Sequence, residues 1–162
     1  MKIRFSLLFL CLTLGTVSSS LRAEEIDYDF RFDMACEYYI NGLEIPEDIL
    51  LDVVPYSDEE FSTFYYRSAE ELEEFGYEFF YDVSGKIFEK AFVPEKKAFY
   101  TASLRLASFA DGEFGEYYIE ELEDIIAKDT GRFCAMAKGQ SYSKFNPIKY
   151  FLEANNCDNR FN

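Results

Sequence analysis

Seven carboxylates fall within fourteen positions between Asp111 and Asp124, inside the stretch SFADGEFGEYYIEELEDII that covers 108–126. Side chains of that type at that density support coordination of a hard cation, hydrolysis by a carboxylate pair, or attraction of a positively charged partner. The cation reading fails against the loop it most resembles. With Gly112 as the turn glycine of a helix–loop–helix calcium site, the ligand positions fall on Ala107, Phe109, Asp111 and Tyr118, and only one of the four is an acid.

The same residues read well as the wet side of a helix. Asp111 caps it, Glu113 and Glu116 stand in the first turn where the dipole favours anions, and Lys128 stands near the far end. Phe114, Tyr118, Leu122, Ile125 and Ile126 form the inward stripe, while Glu113, Glu116, Glu120, Glu123 and Asp124 occupy other faces. Glu116 with Glu120, and Glu120 with Asp124, are like charges four apart, each opposing the helix by a few tenths of a kcal/mol. A basic protein partner relieves that repulsion, and so does a divalent ion; the expectation taken here is the protein, with no metal and no cofactor.

Other chemistry is limited by what is missing. There is no histidine, which removes Ser–His–Asp and Cys–His nucleophilic sites and His-bearing zinc sites. No glycine-rich phosphate cradle occurs. A glycoside-cleaving pair among 31 acids is compatible with the sequence, but there is no tryptophan to serve as a sugar platform. The aromatic doublets Tyr38-Tyr39, Tyr65-Tyr66, Phe79-Phe80 and Tyr117-Tyr118 place adjacent rings about 100° apart on a helix, one in the core and one at its boundary. Tyr65, Tyr66, Tyr117 and Tyr118 are therefore also candidates for a binding face, since tyrosine offers large contact area at low entropy cost.

Residues 1–23 read as an export signal: Lys2 and Arg4 lead, Phe5 to Val17 run mostly apolar, and small residues precede a cleavage point expected after Ala23, with Ser20 the alternative. That run is too short to span a bilayer, so no membrane insertion is expected after its removal. A periplasmic or secreted location follows. Cleavage takes three of 16 basic residues and none of the 31 acids, leaving a formal net charge of about −18 on a single domain over 24–162. Nucleic acid and anionic membranes are disfavoured partners. With 16 Phe and 13 Tyr remaining, the chain is too aromatic to be a disordered acidic tail.

In an oxidising compartment Cys36, Cys134 and Cys157 give one disulfide and one cysteine left over. The short loop favours Cys134–Cys157, with Cys36 in the apolar run Met34-Ala35-Cys36; pairing of Cys36 with either of the others would tie the start of the domain to its end.

Helix signals run along the domain. Ser57-Asp58-Glu59-Glu60 and Ser68-Ala69-Glu70-Glu71 both have the form of capping boxes. After the second, Leu72, Phe75, Phe79, Phe80 and Val83 keep helical spacing up to Gly85, read as a stop. Pro46, Pro94 and Pro147 are read as helix starts, and Pro55 as the end of the helix opened by Pro46. Ile26, Tyr28, Phe30, Phe32 and Met34 alternate like a strand, but no second alternation offers a pairing partner, so 30–41 is assigned to a helix entered through an extended arm. The sum is an all-α fold of seven or eight short helices packed as antiparallel pairs.

Asp82-Val83-Ser84-Gly85-Lys86-Ile87-Phe88 is echoed by Asp129-Thr130-Gly131-Arg132-Phe133, and the two glycines lie 46 residues apart, a HEAT-like repeat length. The stretch 104–137, with its Asp-Gly-x-x-x-Glu helix start and a second short helix carrying a Phe, resembles uncharacterised secreted bacterial helical proteins. The resemblance implies a helical fold and no activity.

The function expected from these features is a non-catalytic interaction protein. It would hold a basic protein, as an immunity or inhibitor protein does, through Glu113, Glu116, Glu120, Asp124, Tyr117, Tyr65 and Tyr66. Its rivals are a structural or regulatory module of an envelope assembly, self-associating through the odd cysteine, and a carboxylate hydrolase.

Overall fold

A computed structural model describes residues 27–70, 72, 75 and 77–158, with the side chain of Glu113 excepted; the leader read at 1–23 lies outside them. Among the described residues the fold is all-α. Its elements are α1 (Tyr28–Ile40), α2 (Glu47–Asp52), α3 (Asp58–Glu70), α4 (Glu78–Ala91), α5 (Lys97–Ala107), α6 (Gly115–Lys128), α7 (Thr130–Ala137) and α8 (Ile148–Ala154). Two 3₁₀ turns, Gly112–Phe114 and Ser141–Lys144, precede α6 and α8. The packing centres on the α4–α5 pair, with α3 against α4, α6 against α5 and α7 closing on both α5 and α6.

The alternating N-terminal pattern resolves as a helix because burial picks out every fourth residue, not every second. Tyr28, Phe32, Ala35 and Cys36 face the core, whereas Phe30 is 55% exposed. The helix begins at Tyr28, two residues earlier than the expected 30. Its end is a Schellman stop: Leu43 N–H donates to Tyr38 O and Gly42 N–H to Tyr39 O, each at 2.9 Å, with Gly42 at φ +63°.

The core is made largely of rings. Phe32, Phe64, Phe79, Phe80, Phe88, Tyr118 and Phe133 are fully buried. Phe80 sits among Phe64, Tyr65, Phe114 and Tyr118, with ring centroids 5.0–5.9 Å away, edge-on to Tyr65 and tilted against the other three, within the centroid range at which ring quadrupoles attract. Both members of the Phe79–Phe80 doublet are buried, so here the one-in, one-out expectation does not hold. Two phenol hydroxyls inside the core are satisfied: Tyr28 donates to Val53 O at 2.7 Å, and Tyr118 lies 3.0 Å from Ser84 Oγ.

Three helix boundaries differ from the sequence reading. Ser57 caps α3 as expected, accepting from Glu60 N–H at 3.2 Å, while the Glu60 carboxylate takes the amide of Tyr56 at 2.6 Å. Ser68, by contrast, is no cap: it lies inside α3, fully buried, with its hydroxyl donating to Phe64 O. A buried serine that bonds back to the carbonyl four residues earlier has no need of an open amide, and the helix runs on. Nor does Gly85 stop a helix. It is interior to α4, where a Cβ would come within 3.2 Å of Tyr117 Oη, so the missing side chain serves close approach of α6. Pro94 lies in the turn before α5, which begins at Lys97. The two echoed segments also sit differently, Gly85 in the middle of α4 and Gly131 in the first turn of α7.

The C-terminal end is fastened by Cys134–Cys157, with Cα atoms 5.1 Å apart, closing a separation of 23 residues. Asn156, at φ +52°, makes the turn that returns the chain; Cys157 N–H donates to Leu152 O and Asn156 N–H to Glu153 O. That turn after α8 brings Cys157 onto Cys134 of α7. Cys36 lies outside this bridge, buried on α1.

Candidate protein-interaction surface

The α6 face is built as its spacing requires. Asp111, extended at φ −151°, accepts from Gly112 N–H at 2.8 Å and starts the 3₁₀ turn that leads into the helix. Tyr118, Leu122, Ile125 and Ile126 are buried, and Phe114 packs against the core partly covered. Glu116, Glu120, Glu123 and Asp124 are exposed, and Glu121 is half-buried. Burial raises the Glu121 carboxyl above its ordinary value, and the neighbouring charges of Asp124 and Glu120 push the same way.

No cation within the described residues answers these acids. The ion pairs join Arg31 to Glu60, Arg67 to Asp29 and Asp33, Lys90 and Lys96 to Glu47, and Lys138 to Asp158. Lys128, the basic residue of α6 itself, turns instead to Phe92, with its ammonium 4.5 Å from the ring centre and its donor aimed at the Phe92 carbonyl. The acids do not converge either: among the described residues no group of three or more His, Cys, Asp or Glu is arranged to hold a metal ion.

The tyrosines divide between core and surface. Tyr66 is 58% exposed, whereas Tyr65 beside it is buried, its ring stacked at 4.9 Å on Tyr77 and also 4.9 Å from Phe114. Tyr117 is half-buried, turned toward α4 with Tyr81 at 5.5 Å and Phe88 at 6.3 Å. Its hydroxyl is pushed up to about 12, first by burial and then by the charges of Glu121 and Asp82. Tyr118 is wholly in the core, its hydroxyl raised by burial. The exposed ring of this set is thus Tyr66, with Tyr65 behind it.

Tyr65 and Tyr66 do not stand alone. They line a cavity of about 590 Å³ between α3 and the α5–α6 connection, together with Phe61, Phe109 and Phe114 and the carboxylates of Asp58 and Asp111. Phe61 and Phe109 stack with centroids 4.9 Å apart and planes 10° from parallel, and Phe114 lies 4.9 Å from Phe61. The sequence pattern makes Asp111 a cap, carries Asp58 only within the Ser57 capping box, and places Phe114 in the inward stripe; Phe61 carries no signal of its own. Nothing local marks them as neighbours, because the cavity is made where α3 meets a connection far along the chain.

A second cavity of about 390 Å³ shares Asp58, Ser108 and Phe109 with the first. In it the Arg105 guanidinium covers the Tyr56 ring at 3.5 Å and donates through Nη2 to Val54 O at 3.1 Å. Phe145, also in its lining, is 64% exposed. Tyr142 Oη and Arg105 Nε are buried there without a hydrogen-bond partner.

No family model matches the chain, and no curated protein or solved structure matches it. No helix among the described residues is long and apolar enough to cross a membrane.

Proposed function

We propose that this chain is an exported, non-catalytic interaction protein that holds a basic protein through its α6 carboxylates and the neighbouring tyrosine surface, in the manner of an immunity or inhibitor protein. One observation carries the reading. Glu116, Glu120, Glu123 and Asp124 stand exposed on one helix without a cation among the described residues, whereas acids on α1, α2 and α3 are paired with the chain's own arginines and lysines. Like charges left at four-residue spacing cost the helix a few tenths of a kcal/mol each, and a partner's positive surface removes that cost while speeding encounter.

The test is capture from a periplasmic extract by the immobilised chain at low and high salt, with the bound protein identified by mass spectrometry. A basic protein is expected, released as salt rises and not retained by the Glu116→Lys, Glu120→Lys double variant. Retention that ignores both salt and the charge reversals refutes the reading. N-terminal sequencing of the exported chain checks the address, with Glu24 expected as the first residue.

A further inference from the structure

We infer that the cavity between α3 and the α5–α6 connection receives an arginine side chain of the basic partner, its guanidinium lying against the rings and between the carboxylates of Asp58 and Asp111. This deepens the reading above and rests on it.

The chain's own packing shows what its rings do with cations. Arg31 lies over Tyr28 at 4.9 Å, Arg67 over Phe32 at 4.5 Å, Arg105 over Tyr56 at 3.5 Å, and Arg132 over Tyr100 at 4.1 Å. Lys90 and Lys96 flank Phe99 at 5.7 and 5.6 Å. In several of these the guanidinium or ammonium is also held by a nearby oxygen, as Arg31 is by Glu60 at 2.8 Å and Arg67 by Asp33 at 2.7 Å. A ring face beside a carboxylate is therefore the setting in which this molecule places positive charge, because the ring quadrupole and the carboxylate attract the same ion.

The cavity offers that setting with the ion missing. Its lining combines Phe61, Tyr65, Tyr66, Phe109 and Phe114 with two exposed carboxylates and no arginine or lysine. Among the described residues no cation–ring contact falls on these five rings, and no ion pair involves Asp58 or Asp111. Arginine suits the site better than lysine. A planar guanidinium stacks on a ring and still presents donors in its plane to two carboxylates, whereas an ammonium is a strongly hydrated point charge. The adjoining cavity at Tyr56 and Phe145 gives the backbone of the incoming segment a semi-polar floor on one side.

The probe is acetyl-Gly-Arg-Gly-amide titrated into the chain labelled for aromatic-ring NMR, with the citrulline analogue as its neutral counterpart. Ring signals of Phe61, Tyr66 and Phe109 are expected to shift, with the arginine δ-methylene protons moved upfield, and the citrulline peptide is expected to bind about tenfold more weakly. Asp58→Asn with Asp111→Asn leaves the Ser57 cap in place, keeps an oxygen at 111 to accept from Gly112 N–H, and should weaken the arginine peptide by a similar factor of about ten, with an unchanged circular dichroism spectrum. Equal binding of the two peptides overturns the assignment, as does an arginine-induced shift confined to the amides of 116–124. If partner capture survives the Asp58→Asn, Asp111→Asn change but is lost on charge reversal of α6, the cavity is refuted and the broader reading stands. If no salt-sensitive capture occurs at all, the broader reading fails, and the peptide titration then decides the cavity by itself.

Discussion

On α1 and α3, Asp29, Asp33 and Glu60 each meet an arginine; on α6, Glu116, Glu120, Glu123 and Asp124 meet none among the described residues. Arg67 reaches from α3 to both aspartates of α1 and covers the Phe32 ring, so charge there fastens one helix to another over the core. Along α6 the apolar stripe of Tyr118, Leu122, Ile125 and Ile126 fastens the helix, joined by the Tyr118–Ser84 hydroxyl contact and by Lys128 over Phe92, with no ion pair among the described residues. The difference separates two uses of the same side-chain chemistry. Acids that are paired contribute to holding the stack together; the α6 acids, with no counter-ion among the described residues, repel one another at four-residue spacing.

The contrast is broken most severely by reversing the unpaired set. Glu116→Lys, Glu120→Lys and Asp124→Lys together should weaken capture of the basic partner on the order of a hundredfold at low salt, while the thermal unfolding midpoint stays nearly level, because the three lysines repeat the like-charge spacing as they lower the net charge. Surface plasmon resonance against the captured protein reads the first, and a melting curve the second. If the melting point falls sharply instead, those acids are structural after all.

Arg67→Ala should do the opposite. Among the described residues it removes two ion pairs whose carboxylates are 61–63% exposed and one guanidinium–ring contact, so the expected cost is at least about 1–2 kcal/mol in urea unfolding, much of it from the ring contact and the buried stem. Capture by the folded variant should be nearly unchanged. Glu120→Lys alone is a smaller version of the first experiment. The new lysine gains Glu116 and Asp124 at four-residue spacing and should stabilise by a few tenths of a kcal/mol, visible as a small rise in melting point.

How far this contrast can be read from the chain depends on the range of the interactions. The α6 stripe, the Ser57 cap, the helix from Pro46 to its stop near Pro55, and Cys134–Cys157 are local patterns, and they stand as the spacing indicates. Ser68 and Gly85 misled because their roles are set at a distance. A Ser-x-x-Glu is a cap only where the chain breaks, and the tight packing that makes Gly85 useful comes from Tyr117 on another helix. The strand-like alternation at the start of the domain arose from Phe30, which is apolar yet points to solvent. The cation-accepting cavity was the least legible part. Phe61 and Phe109 carry no local mark of their stacking, and an acid that caps a helix reads the same whether or not it also borders a pocket.

The smallest expected effect isolates the charge on α6 without a partner. Glu121 is half-buried beside Asp124 and Glu120, and its carboxyl titrates above the ordinary 4.5. A raised folded value means the native state holds the proton more tightly than the unfolded one. Its favourable contribution is therefore complete below 4.5 and is lost as pH rises through the folded value, leaving α6 at its least stable, as far as this group is concerned, at neutral pH. Glu121→Gln fixes the neutral form. It should raise stability at pH 7 by a few tenths of a kcal/mol, discounted for the exposed part of the side chain, and the gain should shrink to nothing below about pH 4.5. Glu47 supplies the opposite sign. Lys96 and Lys90 hold its carboxyl below the ordinary value, so its contribution is present at neutral pH and lost as pH falls through that lowered value. Melting points of the parent, Glu121→Gln and Glu47→Gln chains from pH 3 to 8 should therefore diverge in opposite directions at neutral pH and converge in acid. Parallel curves would mean that the α6 charges interact too weakly to distinguish the two flanks.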